Sequence, residues 1–571
     1  NKYKERPTES NGRSLFFLNI TLMKRFTFIL ILILSFGSLF AKERTGEEKL
    51  AIAKSYLIKY GTGSRAKSLN KIQELKNLDG LTVLGYQQGG FVIVSNDDTN
   101  APVVGYSERE ANLDAPELLW YLNAANQALL SRTASATASE NKEPIEPLLK
   151  TLWGQDTPYN NLCPTERENT NVIYPTGCVA TAMAQVMYYH QYPEKGTGSI
   201  TYSFQDRILS ADFNNTYYQW SLMTPTYKKG QYSDESALAV ATLMYQCGVS
   251  IKMQYNVGGS GAFSYNAATA LRKNFGYHEN LQIHYRDYYT AKEWINKVYN
   301  ELKAGRPIIY TGVDESNGGH CFVVDGYDQN NFVHVNWGWD GMNDGYYDIA
   351  LLNPTGNKFS QGQTMLTGVD KPTANIEHHS EIVTDDNFKV TKLGSSKLLI
   401  NDGKYANLSD QDFSGFLGII LEGNGKQYVL SSQENKGVPN LYYLTKPSSN
   451  LCVLPTDLAD GIYRVYAASK DDKDKSWNPV HFAEGNNNSY ILEKSNKTIS
   501  LTPVTDADWH ETTAISNVLY DTNNVSSYVV TYNLEGQQVY KMKSSEFQLN
   551  NIPGKGIFIL KQGNKTTKIV K

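Results

Sequence analysis

Pro175-Thr-Gly-Cys178-Val-Ala-Thr-Ala-Met-Ala-Gln-Val-Met-Tyr-Tyr-His190 is the stretch on which the reading of this chain turns. Val179, Ala182, Met183, Val186, Met187 and His190 recur at helical spacing, which predicts a buried helix with Cys178 in its first turn. The position carries chemistry. A thiol attacks as thiolate, and the positive end of a helix stabilises that anion. Gly177 leaves a substrate carbonyl room to approach. Taken by itself, a cysteine at a helix start equally suits a small core residue.

A second stretch supplies a base. Ser316-Asn-Gly-Gly319-His320-Cys-Phe-Val-Val-Asp-Gly326 puts His320, Phe322 and Val324 on one face of a strand, and its glycine entry lets the imidazole approach another backbone. After Asp328-Gln-Asn-Asn331, the run Phe332-Val-His-Val-Asn-Trp-Gly-Trp339 predicts a strand that pairs with the first as a hairpin. His334 has the opposite parity from Trp337 and Trp339 and reads as structural. A cysteine peptidase needs a thiolate, an imidazole, a group that orients the imidazole and an oxyanion donor. Candidates for each are present.

Residues 151–193 and 237–371 resemble streptopain-type cysteine peptidases of the papain-like superfamily. The resemblance rests on Trp153-Gly-Gln155 with Pro158-Tyr-Asn160, Thr176-Gly-Cys178-Val-Ala-Thr-Ala, Tyr189-His-Gln-Tyr-Pro193, Gly259-Ser-Gly-Ala262, Gly318-Gly-His320 and His334-Val-Asn-Trp-Gly-Trp339. It implies an α+β chain with a papain-like peptidase domain, Cys178 as nucleophile and His320 as its general acid and base. Gln155 is the implied oxyanion donor, joined by the Cys178 backbone N–H. Trp337 or Trp339 would shield the pair and hold the ring, with Asn336 the less favoured orienter on strand parity. Gly259, Ser260, Gly261, Val313 and Gly319 would line a cleft that prefers a hydrophobic residue at the second position before the cut. Cys321 stands where relatives often carry Ala, and is expected to face away from the ring as an oxidation site. No metal or cofactor is expected; the partners are protein or peptide substrates.

Composition agrees with this reading and excludes others. At about 150 residues per domain, 571 residues suggest three or four domains. The balance of 54 basic and 58 acidic residues, net −4, argues against a nucleic-acid surface. The 5 cysteines are scattered, odd in number and without zinc-finger spacing.

The domains are expected at 1–41, 42–142, 143–372, 373–508 and 509–571. In 1–41, Met23 is read as the start, and Met23-Lys-Arg25, the apolar run Phe26 to Phe40 and Ala41 follow the order of a secretory signal peptide. That run is shorter than the ~20 residues a spanning helix needs. Residues 42–142 are expected to form an α+β unit resembling the family's inhibitory propeptide, ending in the exposed linker Ser131–Lys142. In its second helix, Asp114 and Glu117 suggest a cap. Activation would follow cleavage within Arg132–Glu146. Regular short strands in 373–508 predict an antiparallel sandwich. Tyr528–Gly536, Gly556–Leu560 and Lys568–Lys571 predict a small β domain that resembles the C-terminal sorting domain of type IX secretion cargo, with the secretion machinery as partner. The expected location is secreted or cell surface, reached through the periplasm of a Gram-negative bacterium. Two rival functions use the same residues differently: an adhesin with a vestigial peptidase block, and a transglutaminase- or amidase-like enzyme.

Overall fold

Helix Gly46–Tyr60 (α1) begins at Thr45, whose hydroxyl accepts the Glu48 N–H while the Glu48 carboxylate accepts the Thr45 N–H, a reciprocal cap. It is the first element of a computed structural model that describes residues 42–60, 71–131, 142–314, 318–349 and 363–505, except 88, 168, 170 and 402, together with four strands between 528 and 570. The leader in 1–41 and most of the expected linker, 132–141, lie outside the described residues.

The chain forms two compact units, Asn1–Glu108 and Arg109–Lys571. In the first, Ala53 and Leu57 of α1 are buried, and an antiparallel meander follows: Gln73–Asn77 (β1), Leu81–Gly85 (β2), Phe91–Ser95 (β3) and Val103–Ser107 (β4). The sequence predicts β2 and β3, which are fully buried apolar runs. It misses β1, a polar edge strand without hydrophobic alternation, and β4, a short buried strand.

Helix Pro116–Ser131 (α2) belongs to the second unit, not to the preceding α+β unit as its place in the sequence suggests. Its aromatic side chains account for this, since Trp120 packs on Phe322 and Tyr121 on Tyr347, with ring centroids 6.0 and 4.9 Å apart. Helix Cys178–His190 (α3) follows, then the hairpin Ser199–Phe204 (β5) and Arg207–Asp212 (β6), and helices Asp234–Ser250 (α4) and Tyr265–Lys273 (α5). Next come Gln282–Tyr285 (β7), helix Ala291–Lys303 (α6), Ile308–Asp314 (β8), Gly318–Tyr327 (β9), Val333–Asn336 (β10), Gly345–Tyr347 (β11) and Thr364–Thr367 (β12). These strands pair antiparallel in the order β11–β10–β9–β8–β12–β7.

The predicted hairpin is β9–β10. Asp328 turns it by accepting the N–H groups of Asn330 and Phe332, and Asn331 takes the left-handed conformation at φ 67. The core between the sheet and α3 to α5 holds Met183, Val186, Met187, Leu243, Met244, Leu271, Ile309 and Val323. All 5 cysteines are without disulfides.

Residues 373–505 are strand-rich, as the sequence predicts for 373–508. The main sheet runs Lys426–Val438, Phe413–Gly423, Gly461–Asp471, Asn487–Ser495 and Thr498–Thr505, and smaller sheets close over a core of Phe388, Leu398, Ile400, Leu417, Leu421 and Val465. Toward the C-terminus, 528–532, 538–543, 557–562 and 565–570 form one antiparallel sheet.

The strand-rich block is fastened to the peptidase-like block by a buried carboxylate. Glu381 accepts from the Tyr289 hydroxyl at 2.8 Å and from His284 Nδ1 at 3.0 Å, while His284 Nε2 faces the Thr367 hydroxyl at 2.9 Å. A neutral ring that donates from Nδ1 and accepts at Nε2 satisfies every partner. Burial opposes a charge on Glu381, but its His284, His481 and Lys297 neighbours outweigh it and hold the carboxyl at about 2, below the ordinary 4.5. Burial holds His284 at about 4, below 6.5. Both groups therefore favour the fold above their ordinary values. Stability falls with pH from 6.5 toward 4 through His284 and from 4.5 toward 2 through Glu381. Glu381→Ala leaves this junction without its acceptor and is expected to cost about 3 kcal/mol. Urea unfolding at neutral pH checks this, and an unchanged midpoint contradicts it.

Candidate active site

The helix that carries Cys178 is buried from Val179 to Met187, so its backbone is fixed by the core rather than by its own sequence propensity. Gly177 caps it at φ 88 with no side-chain cap, and Gln191 ends it in the left-handed conformation. A Cβ on Gly177 would stand 2.6 Å from Met253 Cε and 2.9 Å from the Ser260 carbonyl oxygen. Both the positive φ and this close approach demand glycine. The same contact brings the Gly259, Ser260 and Gly261 loop beside Cys178, and the Ser260 hydroxyl fixes it by donating to the Pro175 carbonyl at 2.7 Å.

Strand β9 brings His320 to the same region, since α3 packs on it. Cys178 Sγ faces the backbone N–H groups of Cys321, Val179 and Cys178 itself. Burial nevertheless pushes the thiol up, and the nearby Glu117 carboxylate adds to the rise. Burial also holds the His320 imidazole down at about 4. In this state thiol and imidazole are both favoured neutral.

The sequence treats Glu117 as a capping acid; the structure places it elsewhere. Its carboxylate is fully buried, with Oε2 3.8 Å from His320 Nε2. Trp339 and Asn343 lie close enough to favour its charge, yet neither reaches hydrogen-bond geometry, so among the described residues both Glu117 oxygens and Trp339 Nε1 lack a hydrogen-bond partner. Burial raises this carboxyl to about 7 against those opposing neighbours. Trp120, one turn further along α2, fills the adjacent space so closely that a Cβ on Gly312 would lie 2.0 Å from its ring. In the sequence Trp120 carries no signal beyond helix amphipathicity, and Glu117 none beyond capping.

The other expected residues fall as follows. Gln155 is buried, and its carbonyl accepts the Thr176 N–H at 3.0 Å, which ties it to the turn before Cys178. Trp337 packs on Phe322, which shares the His320 face of β9, with centroids 4.6 Å apart. Asp344 holds the Trp337 N–H at 2.9 Å. Val313 and Gly319 are register partners across β8 and β9, next to His320, and both are exposed. Asn336 is turned away: its Oδ1 accepts from Gln185 and the Gly338 N–H, and its Nδ2 donates to the Thr151 carbonyl. A bulge between His334 and Val335 shifts the register here, and His334 is bonded to Asp325 at 2.6 Å, a structural role. Cys321 is in the core with Val323, on the side of β9 opposite His320. Among the described residues no cluster of His, Cys, Asp or Glu is arranged to hold a metal ion.

A buried helix with a cysteine at its N-terminus, set against a strand that carries a histidine, is the framework of a thiol peptidase. Residues 153–347 match the Peptidase C10 family. Streptopain of Streptococcus pyogenes is 33% identical over 332 residues, covering 53% of this chain and 83% of that protein. The chain belongs to this streptopain-like peptidase family. The thiol protease/hemagglutinin PrtT of Porphyromonas gingivalis is 32% identical over 323 residues, covering 51% of this chain and 36% of that one. Among solved structures, a Prevotella intermedia prointerpain A fragment is 39% identical and covers 52% of this chain and 98% of its own, with TM-score 0.48. Active interpain A of the same organism is 43% identical, with coverage of 40% and 95% and TM-score 0.36.

Because the Gly177 position tolerates no Cβ, Gly177→Ala is expected to shift the loop around Ser260 or the start of α3. A loss of about 1–3 kcal/mol should accompany this. Thermal unfolding together with the alkylation rate of Cys178 checks it; wild-type values in both contradict it.

Proposed function

We propose that the chain is a secreted cysteine endopeptidase, made latent, in which Cys178 is the nucleophile and His320 the general acid and base. Two observations support the reading: Cys178, at the N-terminus of a buried helix, faces the backbone N–H of Cys321, next to His320, and the Gln155 backbone carbonyl is bonded to Thr176 in the turn before Cys178. In the working enzyme the imidazole takes the thiol proton, and the thiolate attacks the peptide carbonyl to give a thioester. The Cys178 N–H and the Gln155 amide stabilise the oxyanion, His320 returns the proton to the leaving amine, and water attacks under the same base to release the acid. Trp337 and Trp339 exclude water from the pair. The cleft between the Gly259–Gly261 loop and Val313 with Gly319 takes an extended peptide, with an apolar side chain favoured two residues before the cut.

Latency follows from the chain before residue 143. Trp120 fills the space over Gly312 and the buried Glu117 raises the Cys178 thiol, while burial holds the His320 imidazole neutral, so the uncleaved chain keeps the pair uncharged and apart from substrate. Cleavage in Arg132–Glu146 frees this segment. Residues 1–41 direct export, and residues 509–571 engage the secretion machinery on the way to the cell surface.

Hydrolysis of denatured casein tests the activity. Wild type is expected to release peptides and to lose this with an epoxide thiol inhibitor, while Cys178→Ala and His320→Ala release none. Activity in Cys178→Ala, or thiol labelling without proteolysis, contradicts the reading. Trp120→Ala, which removes a packed ring whose loss is typically worth about 3–5 kcal/mol, is expected to raise peptide hydrolysis by chain that is still uncleaved. Unchanged latency in that variant contradicts the role given to α2.

A further inference from the structure

Gln185 lies further along α3 from Cys178 and is fully buried, yet its neighbours on the helix are nearly all apolar. Its amide closes a ring of hydrogen bonds. Oε1 accepts from the Thr151 hydroxyl at 2.6 Å, Nε2 donates to Asn336 Oδ1 at 3.0 Å, and Asn336 Nδ2 donates to the Thr151 carbonyl at 2.8 Å. The Gly338 N–H adds a bond to Asn336 Oδ1 at 3.1 Å. All three side chains are buried, and none of these bonds involves Cys178 or His320.

The ring joins three segments that meet nowhere in the sequence. Thr151 leads into Gln155, Gln185 shares a helix with Cys178, and Asn336 immediately precedes Trp337. One turn before Gln185, Thr181 extends the seam: its hydroxyl bonds the Gly177 carbonyl at 3.1 Å and the Thr176 hydroxyl at 2.8 Å. Its methyl lies 3.1 Å from where a Cβ on Gly338 would stand, and Gly338 has φ +77. The Trp337–Trp339 turn is thus packed tightly against α3, and a side chain at Gly338 would meet both this contact and a positive φ. Apolar packing alone tolerates small slips between a helix and a loop. Buried amides do not, because each bond has a direction and an unpaired group is costly.

We propose that Gln185 is a positioning residue for the reaction: through Thr151 and Asn336 it sets the spacing of the segments that carry the oxyanion donor, the nucleophile and the indole shield. This rests on the peptidase reading above. Kinetics of the trimmed enzyme test it, using Gln185→Met, which keeps volume and loses both bonds, and Thr151→Val, which keeps shape and loses one. Well below the melting temperature, kcat is expected to fall about tenfold or more in Gln185→Met, with KM changed less than about threefold. Iodoacetamide should alkylate Cys178 in that variant with an altered pH profile. Thr151→Val should move in the same direction by less, and it decides the question if Gln185→Met does not fold. A lowered melting temperature with wild-type kcat and alkylation profile overturns the proposal and leaves the peptidase reading standing. Absence of hydrolysis in trimmed wild type overturns both.

Discussion

The structure depends on the burial of one helix. From Val179 to Met187 the chain Cys178–His190 is enclosed on every side, so moving its N-terminus means repacking the core around Met183 and Met187. Cys178 is therefore held at a fixed point, with Gly177 in front of it at φ 88 and no room for a larger residue. The strand that carries His320, the loop at Ser260 and the turn at Trp337 are all positioned by what they pack against on this helix. A reactive thiol placed this way gains its environment from tertiary packing, which the helix sequence alone does not supply.

Burial has an electrostatic cost that is central to the account. The same enclosure that fixes Cys178 raises its thiol and holds His320 at about 4, so burial favours the uncharged pair. Glu117 contributes through the thiol alone, which its carboxylate pushes up. In the proposed active form, removal of α2 readmits water and the substrate's own dipoles, which makes both imidazolium and thiolate less costly. Under the proposed reading, latency is a matter of solvation as much as of blockage. The strand-rich block, by contrast, is fastened far from this chemistry through Glu381, His284 and Tyr289, and it belongs to the same compact unit as the peptidase-like block.

What could be read from the sequence was local or periodic. The α3 helix, the β9–β10 hairpin and the strands of 373–508 have regular apolar spacing and glycine or Asx turns that state their own boundaries. Cys178 and His320 stood out because each sits at such a boundary, beside glycine. Glu117 did not, because an acid near a helix start already has an ordinary explanation in capping. The Thr151–Gln185–Asn336 ring was equally hidden, since its partners are 34 and 151 residues apart and each, alone, is an unremarkable polar residue. The assignment of α2 to the second unit is explained by aromatic contacts across a still longer separation, from Trp120 and Tyr121 to Phe322 and Tyr347. Sequence period identifies elements; it carries no record of which buried polar group faces which.

The most direct measurement is the rate at which an epoxide thiol inhibitor modifies Cys178, read by mass spectrometry on the intact chain and again after removal of the residues before 143. The account predicts slow modification of intact chain and fast modification of trimmed chain, confined to Cys178 and rising in step with peptide hydrolysis. Equal rates in the two forms, or hydrolysis that survives complete modification of Cys178, would contradict it.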